Sequence, residues 1–94
     1  MTNLIILFTM EGCPHCLIMK NKLNENKIEF IERDIDEHKS EYDMFVEATD
    51  NEYVPAFMVI KNYQSDSPST QLFAPDRDFE EINEAVEIIK YLLN

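Results

Sequence analysis

The chain has 94 residues, enough for one compact domain and too few for two, so residues 1–94 are expected to form a single domain. Its formal net charge is −11, from 19 acidic and 8 basic side chains, which argues against nucleic acid and an anionic membrane surface as partners. The single glycine excludes a glycine-rich phosphate-binding loop. An acidic surface most often has no function beyond contact with solvent. The functional alternative is that it binds a partner with a basic docking face.

The first predicted element is a short apolar strand. Residues 4–8, LIILF, form a continuous apolar run, which predicts a strand buried on both faces. The run is too short for a signal-peptide core or a membrane span, and no basic segment precedes it, so we expect a cytoplasmic protein. Structural disulfides are rare in that compartment, and a close cysteine pair there is more often catalytic or metal-binding.

A helix and a second strand follow. Pro14 is typical of the first turn of a helix, and the pattern after it predicts a helix over residues 14–26, with Cys16, Leu17, Lys20 and Leu23 at helical spacing. Residues 28–33 alternate partly between apolar and polar side chains and predict a strand. Two strands joined through a helix imply a parallel pair with a right-handed crossover.

The second half of the chain predicts a helix, two strands and a last helix. Residues 39–49 have apolar side chains at helical spacing, and residues 56–60 form another buried strand. A polar loop over 61–70 leads to a weak edge strand over 71–74. The last helix has Asp76 or Asp78 as its predicted cap and an apolar stripe of Phe79, Ile82, Val86, Ile89 and Leu93. The order βαβαββα predicts an α/β fold with a small mixed sheet between helices.

The only two cysteines lie in the sequence EGCPHC, at Cys13 and Cys16. Cys13 is expected at the N-terminus of the first helix, where free backbone N–H groups and the helix dipole favour a thiolate. A thiol pKa of roughly 4 to 7 is typical of such settings. Cys16 lies one turn deeper on the same face. The pair therefore predicts an attacking thiolate at Cys13 and a resolving thiol at Cys16.

The neighbours of the cysteines act on the thiolate in opposite directions. Pro14 holds the backbone without adding an unsatisfied N–H, and His15 offers a donor or a partial positive charge that favours the thiolate. Glu11 has the opposite effect, because a nearby carboxylate raises the pKa of a thiol. We expect the helix terminus to outweigh Glu11.

The cysteine pair has two other interpretations. A structural zinc site needs four ligands, and His15 lies between the cysteines where it can hardly join them in one tetrahedron with His38. We therefore expect no metal site. Two buried thiols without chemistry are the other alternative. The position of the pair, after a buried strand and at the start of a helix, favours redox chemistry.

Val54-Pro55 precedes the third strand and is the second element of interest. A proline before a strand is ordinarily a turn device, and cis X–Pro bonds are a small minority, so the pattern alone does not support a cis bond here. In the predicted scaffold this segment would lie beside the cysteines. It would then present the Val54 backbone groups to an extended peptide or thiol substrate.

The whole chain resembles the glutaredoxins of the thioredoxin superfamily. The resemblance rests on three motifs, Phe8-Thr9, Cys13-Pro14-His15-Cys16 and Tyr53-Val54-Pro55, with His15 in place of the family's usual Tyr. It implies a thioredoxin-like fold with a four-stranded mixed sheet flanked by three helices, and a cis-Pro55. It also implies disulfide reduction by Cys13 with resolution by Cys16.

The resemblance further implies glutathione as a co-substrate, with no bound cofactor. Its implied binding site consists of His15, Tyr53, Val54, Pro55, Asp76, Arg77 and Asp78. The chain departs from the family where Met10 replaces a Lys, where Asn51-Glu52 replaces basic or Gln residues, and where Ala74-Pro75 replaces Gly-Gly. Because glutathione is an anion, a chain lacking these cations is expected to bind it weakly.

Two function hypotheses follow. The first is a dithiol oxidoreductase that reduces protein disulfides or glutathione mixed disulfides and is recharged by glutathione or by thioredoxin reductase; the resemblance suggests ribonucleotide reductase as a protein substrate. The second is a non-enzymatic module that holds a metal, an iron–sulfur cluster or a protein partner. Cluster-binding relatives generally have a single active-site thiol, so Pro14 and Cys16 argue against it. A monomer is expected, since no apolar patch is evident in the sequence.

Overall fold

The computed structural model describes residues 3–93, which form four strands and three helices in the predicted order. The elements are β1 Asn3–Thr9, α1 Pro14–Glu25, β2 Ile31–Asp34, α2 Lys39–Thr49, β3 Ala56–Lys61, β4 Ser69–Phe73 and α3 Ile82–Leu93. The predicted domain of residues 1–94 also includes Met1, Thr2 and Asn94, which lie outside the described residues. None of these helices is long and apolar enough to cross a membrane.

The four strands form one mixed sheet in the order β2-β1-β3-β4. β2 runs parallel to β1, with Ile6 opposite Ile31. β3 is antiparallel to β1, with Ile6 opposite Met58, and β4 is antiparallel to β3. The predicted parallel crossover and the closing hairpin are therefore both present, and the predicted mixed sheet flanked by three helices is confirmed.

β1 is buried on both faces because it is an interior strand with a helix layer on each side. Ile5 and Leu7 lie in the core that includes residues of α1 and α3, among them Met19, Leu23, Val86 and Ile89. Phe8 and Ile6 lie in the core on the α2 side, with Tyr42 and Phe45. Burying one such side chain fully stabilises the fold by about 1.5–3 kcal/mol. This packing fixes α1 against the sheet and so positions its N-terminus, which carries the cysteines.

The second strand begins later than predicted, at Ile31 instead of residue 28. The reason is that Ile28 closes the C-terminal end of α1, where its N–H donates to the carbonyl oxygen of Leu23 over 2.9 Å. The Ile28 side chain is buried in the core on the α1 side, and Phe30 packs against that core. The apolar residues that suggested a strand therefore serve the helix–sheet contact instead.

The beginning of the last helix also differs from the prediction. α3 begins at Ile82, and neither Asp76 nor Asp78 caps it. Asp78 instead accepts a hydrogen bond from the Ala74 N–H over 2.8 Å, within the loop. The Glu84 carboxylate caps the helix from inside its first turn, accepting the N–H groups of the two residues before Ile82.

Candidate active site

Cys13 is the N-cap residue of α1. Its backbone is extended, with φ −95° and ψ 105°, and its Sγ accepts a hydrogen bond from the Cys16 N–H over 3.1 Å. The Leu17 N–H donates to the Cys13 carbonyl oxygen over 3.3 Å and begins the helical bonding pattern. The sulfur thus takes the place of the side-chain oxygen that caps most helices. A thiolate at this position is stabilised by the N–H group and by the helix dipole.

The turn from β1 into α1 depends on Gly12. Gly12 has a φ of 77°, in the left-handed region that side chains with a Cβ rarely adopt. The next residues reverse direction, because the Cys13 N–H donates back to the Met10 carbonyl oxygen over 3.2 Å. Pro14 then occupies the first turn of the helix, where its missing N–H costs nothing.

The two cysteines are joined in a disulfide, with their Cα atoms 5.2 Å apart. That separation lies in the usual range for a disulfide. Their exposure differs: Cys16 is 2% exposed, whereas Cys13 is half-buried. An external thiol or disulfide therefore reaches Cys13 first, while Cys16 is placed to act on Cys13 from within.

A groove of about 640 Å³ lies on the side of the disulfide that faces β2, and we call it the β2-side groove. Both cysteines line it, together with three carboxylates and one ammonium group, from Glu11, Glu32, Asp34 and Lys20. Met10 and Leu17 add exposed apolar surface to its edge. The groove thus combines the reactive sulfurs with an acidic lining.

A hydrogen-bonded network lies in this groove. Thr9, 2% exposed at the end of β1, donates its hydroxyl to Glu32 Oε2 over 2.7 Å. Lys20 Nζ contacts the same oxygen at 3.0 Å. The Thr9 hydrogen bond is the main cause that lowers the pKa of Glu32; Lys20 lowers it further, and burial opposes both. Sequence reasoning missed this network, although a threonine ending an apolar run was a visible signal.

A second groove of about 510 Å³ lies between His15, Pro55 and the start of α3, and we call it the α3-side groove. It brings together several residues of the implied glutathione site, namely His15, Tyr53, Val54, Pro55 and Asp76. Arg77 and Asp78 are not part of its lining. They form an ion pair with each other at 3.2 Å, between Arg77 Nη1 and Asp78 Oδ2.

The Val54-Pro55 segment forms one wall of the α3-side groove. The peptide bond between the two residues is cis, as the resemblance implied. Pro55 is buried, and Tyr53 is 63% exposed. Within residues 3–93, the N–H and C=O of Val54 have no hydrogen-bond partner. These main-chain groups are therefore available to an extended substrate.

Between Asn3 and Leu93, no group of three or more His, Cys, Asp and Glu side chains is arranged to hold a metal ion. Both cysteine sulfur atoms take part in the disulfide.

Comparison with solved structures agrees with the fold. A crystal structure of a thioredoxin-like protein carrying a single substitution is similar, with a TM-score of 0.60 and 20% identity over 96% of this chain and 99% of that one. A malarial protein gives a TM-score of 0.59 at 17% identity, with both chains covered fully. At these identities the likeness shows the fold alone, which is thioredoxin-like.

The search of curated proteins finds no match. The sequence model of the glutaredoxin family, in contrast, matches residues 5–62, more than half of the chain, and includes both cysteines and Pro55. The chain therefore belongs to the glutaredoxin family.

Proposed function

We propose that this protein is a dithiol oxidoreductase that reduces protein disulfides or glutathione mixed disulfides. One observation carries the proposal: Cys13 Sγ caps α1 and accepts the Cys16 N–H over 3.1 Å, and Cys13 is the more exposed of the two paired cysteines. This arrangement supports an attacking thiolate at Cys13 and a resolving thiol at Cys16.

The proposed reaction begins with the reduced dithiol. The Cys13 thiolate attacks one sulfur of the substrate disulfide, and the other substrate sulfur leaves as a thiolate that takes up a proton. The Cys16 thiol then loses its proton and attacks Cys13 Sγ, which releases the remaining substrate sulfur. Two electrons have passed from the protein to the substrate, and the protein is left with the Cys13–Cys16 disulfide.

The oxidised protein must be recharged by an external reductant. Two glutathione molecules, which become glutathione disulfide, or a thioredoxin reductase would return the two electrons. We propose disulfide-containing proteins as the substrates, with ribonucleotide reductase as a candidate that the family relationship suggests. Turnover measured side by side with glutathione plus its reductase and with thioredoxin reductase identifies the reductant.

The function is tested with the neutral disulfide of 2-mercaptoethanol and pre-reduced protein. We expect Cys13→Ser to lose at least about a hundredfold in rate, because the nucleophile is removed. Cys16→Ser is the matched control: it keeps the nucleophile and should accumulate a mixed disulfide at Cys13, visible by mass spectrometry. Full activity of Cys13→Ser would show that the assigned nucleophile is wrong.

A further inference from the structure

We propose that the surface around the disulfide selects disulfides that lie in basic peptide segments, in preference to anionic thiols such as glutathione. This inference rests on the proposed oxidoreductase function and names the substrate class of the same site. Three features support it: the charges of both grooves, the hydrogen bonds of the loop before α3, and the main-chain groups that are left free for a substrate.

Both grooves beside the disulfide are acidic. The α3-side groove is lined by three carboxylates, from Asp76, Glu80 and Glu81, against the single ammonium group of Lys22. The β2-side groove also has three carboxylates and one ammonium group. That ammonium group, from Lys20, is already paired with Glu32. A cationic segment is therefore attracted from either side, and an anionic one is repelled.

Several N–H groups of the loop before α3 are already paired within the protein. The Asp76 N–H donates to the Phe79 carbonyl oxygen over 2.8 Å, and the Asp78 N–H donates to the Ala74 carbonyl oxygen over 3.0 Å. Pro75 has no N–H to offer. A carboxylate of glutathione would have to displace an existing hydrogen bond to reach the N–H of Asp76 or Asp78.

The N-terminus of α3 carries a negative charge of its own. The Glu84 carboxylate accepts the N–H groups of Glu80 and Glu81 over 3.2 and 3.0 Å. Helix N-termini ordinarily attract anions, because their first N–H groups are unpaired. Here the Glu84 carboxylate, which belongs to the helix itself, places a negative charge beside the start of α3 and so opposes the approach of a second anion.

The groups that remain free suit an extended basic peptide. The Val54 N–H and C=O are unpaired among the described residues, so they can bond the main chain of a substrate. Tyr53 is 63% exposed on the rim of the same groove and can stack on a Lys or Arg side chain. His15 lines the groove and is two residues from Cys13, so the Cα atoms of the two residues are at most about 7 Å apart. A peptide in the groove therefore has its disulfide within reach of Cys13.

The experiment compares two peptides that differ only in charge. Each contains one cysteine in a mixed disulfide with 2-mercaptoethanol, flanked by lysines in one peptide and by glutamates in the other. Pre-reduced protein is mixed with each peptide in a single turnover. Rates with dithiothreitol, a neutral reductant, correct for the intrinsic reactivity of each disulfide.

After that correction, we expect the lysine peptide to react about tenfold faster or more at low ionic strength, because complementary charge speeds encounter and binding. Near 1 M salt, where the screening length is about 3 Å, the ratio should fall towards one. The glutathione mixed disulfide of a neutral peptide should react more slowly than the corresponding 2-mercaptoethanol derivative.

A double variant locates the effect. Glu80→Gln with Glu81→Gln removes two charges from the α3-side groove and should abolish most of the preference for lysine. Glu37→Gln with Glu47→Gln is the matched control, since these exposed residues line neither groove and the net charge changes equally. The control should keep the preference.

The outcomes separate the inference from the proposed function. Equal corrected rates for the two peptides would overturn the basic-substrate inference, while reduction of both would still support the oxidoreductase. A preference that survives in the Glu80/Glu81 variant would overturn the role of the α3-side groove. Failure to reduce any of the disulfides would overturn the proposed function and the inference together.

Discussion

Asn51 Nδ2 donates a hydrogen bond of 2.6 Å to the carbonyl oxygen of Pro75, a residue 24 positions away in the chain. Its Oδ1 also accepts the Tyr53 N–H over 2.9 Å. One amide side chain thus joins the segment that leads to Pro55 with the loop before α3. These segments are the two walls of the α3-side groove, so Asn51 holds the groove at its observed width.

Asn51→Ala should therefore affect both stability and substrate binding. Loss of two hydrogen bonds to the backbone is expected to lower the free energy of unfolding by about 1–2 kcal/mol. The KM for a disulfide substrate should rise several-fold with little change in kcat, because the cysteines are untouched. Urea unfolding and steady-state kinetics measure the two effects. Asn51→Asp is the comparison variant: it keeps the acceptor for the Tyr53 N–H but loses the donor to Pro75, so its stability should be intermediate. An unchanged KM in both variants would contradict the role of Asn51.

Glu84→Ala should weaken α3 and open its N-terminus to anions. Removing the carboxylate frees the N–H groups of Glu80 and Glu81, at a cost of about 1 kcal/mol in unfolding free energy. The KM for a glutathione mixed disulfide is expected to fall, because one negative charge is lost and two donors become free. Glu84→Gln is the control that retains an acceptor oxygen, so its stability should stay near that of the wild type. A KM for the glutathione mixed disulfide that rises in Glu84→Ala would contradict the view that the Glu84 carboxylate opposes anions at the start of α3.

Thr9→Val tests the network behind the disulfide. The pKa of Glu32 is lowered in the folded protein, chiefly by the Thr9 hydroxyl, so the network stabilises the fold above the ordinary glutamate pKa. This stabilisation is lost as the pH falls through the lowered pKa. Because Glu32 is 41% exposed, solvent screening limits the expected loss in Thr9→Val to about 1 kcal/mol at pH 7.

The measurement for Thr9→Val is urea unfolding at pH 7 and again near pH 3. The difference from the wild type should narrow as the pH falls towards and through the lowered pKa of Glu32, because protonation removes the charge that the Thr9 hydroxyl stabilises. Thr70→Val is the matched control, because Thr70 is exposed on β4. A difference that is the same at both pH values would show that the charge of Glu32 is not involved.

Tyr42→Phe should stabilise the protein. The Tyr42 side chain is 8% exposed, and its hydroxyl has no hydrogen-bond partner among the described residues. Burial, and secondarily the charge of Glu52, raises the pKa of Tyr42. The folded protein therefore favours the neutral phenol of Tyr42. The stability that depends on this neutral form is fully present below the ordinary tyrosine pKa and is lost as the pH rises through the raised pKa of the folded protein.

We expect Tyr42→Phe to increase the free energy of unfolding by about 1 kcal/mol at neutral pH, since a buried unpaired hydroxyl is removed. The variant should also lose less stability than the wild type at strongly alkaline pH. Tyr91→Phe, at a position that is 80% exposed, is the control and should change neither quantity. Destabilisation by Tyr42→Phe would mean that the hydroxyl has a partner in solution.

The order of the elements could be predicted because it depends on short-range patterns. The run that forms β1 has apolar residues at consecutive positions, which makes both faces of the strand apolar. In the structure, Ile5 to Phe8 are all buried. The helical spacing before Leu93 likewise reports which side of α3 faces the sheet. In α1 the predicted spacing was only partly right, because Leu17 is 56% exposed and Met19 is buried instead. The cysteine pair was predictable for the same reason, since its place at a helix start follows from neighbours within a few residues.

Boundaries and groove linings needed the tertiary structure because distant residues compete for the same groups. Ile28 belongs to the α1 turn and the core instead of a strand, and Asp78 bonds Ala74 instead of capping α3. Likewise, Glu32 reaches Thr9 across 23 residues, and Asn51 reaches Pro75 across 24. The sequence by itself thus determined the secondary-structure order and the position of the reactive sulfurs. Only the fold decided which charges and free N–H groups surround them, because those depend on contacts that no local pattern records.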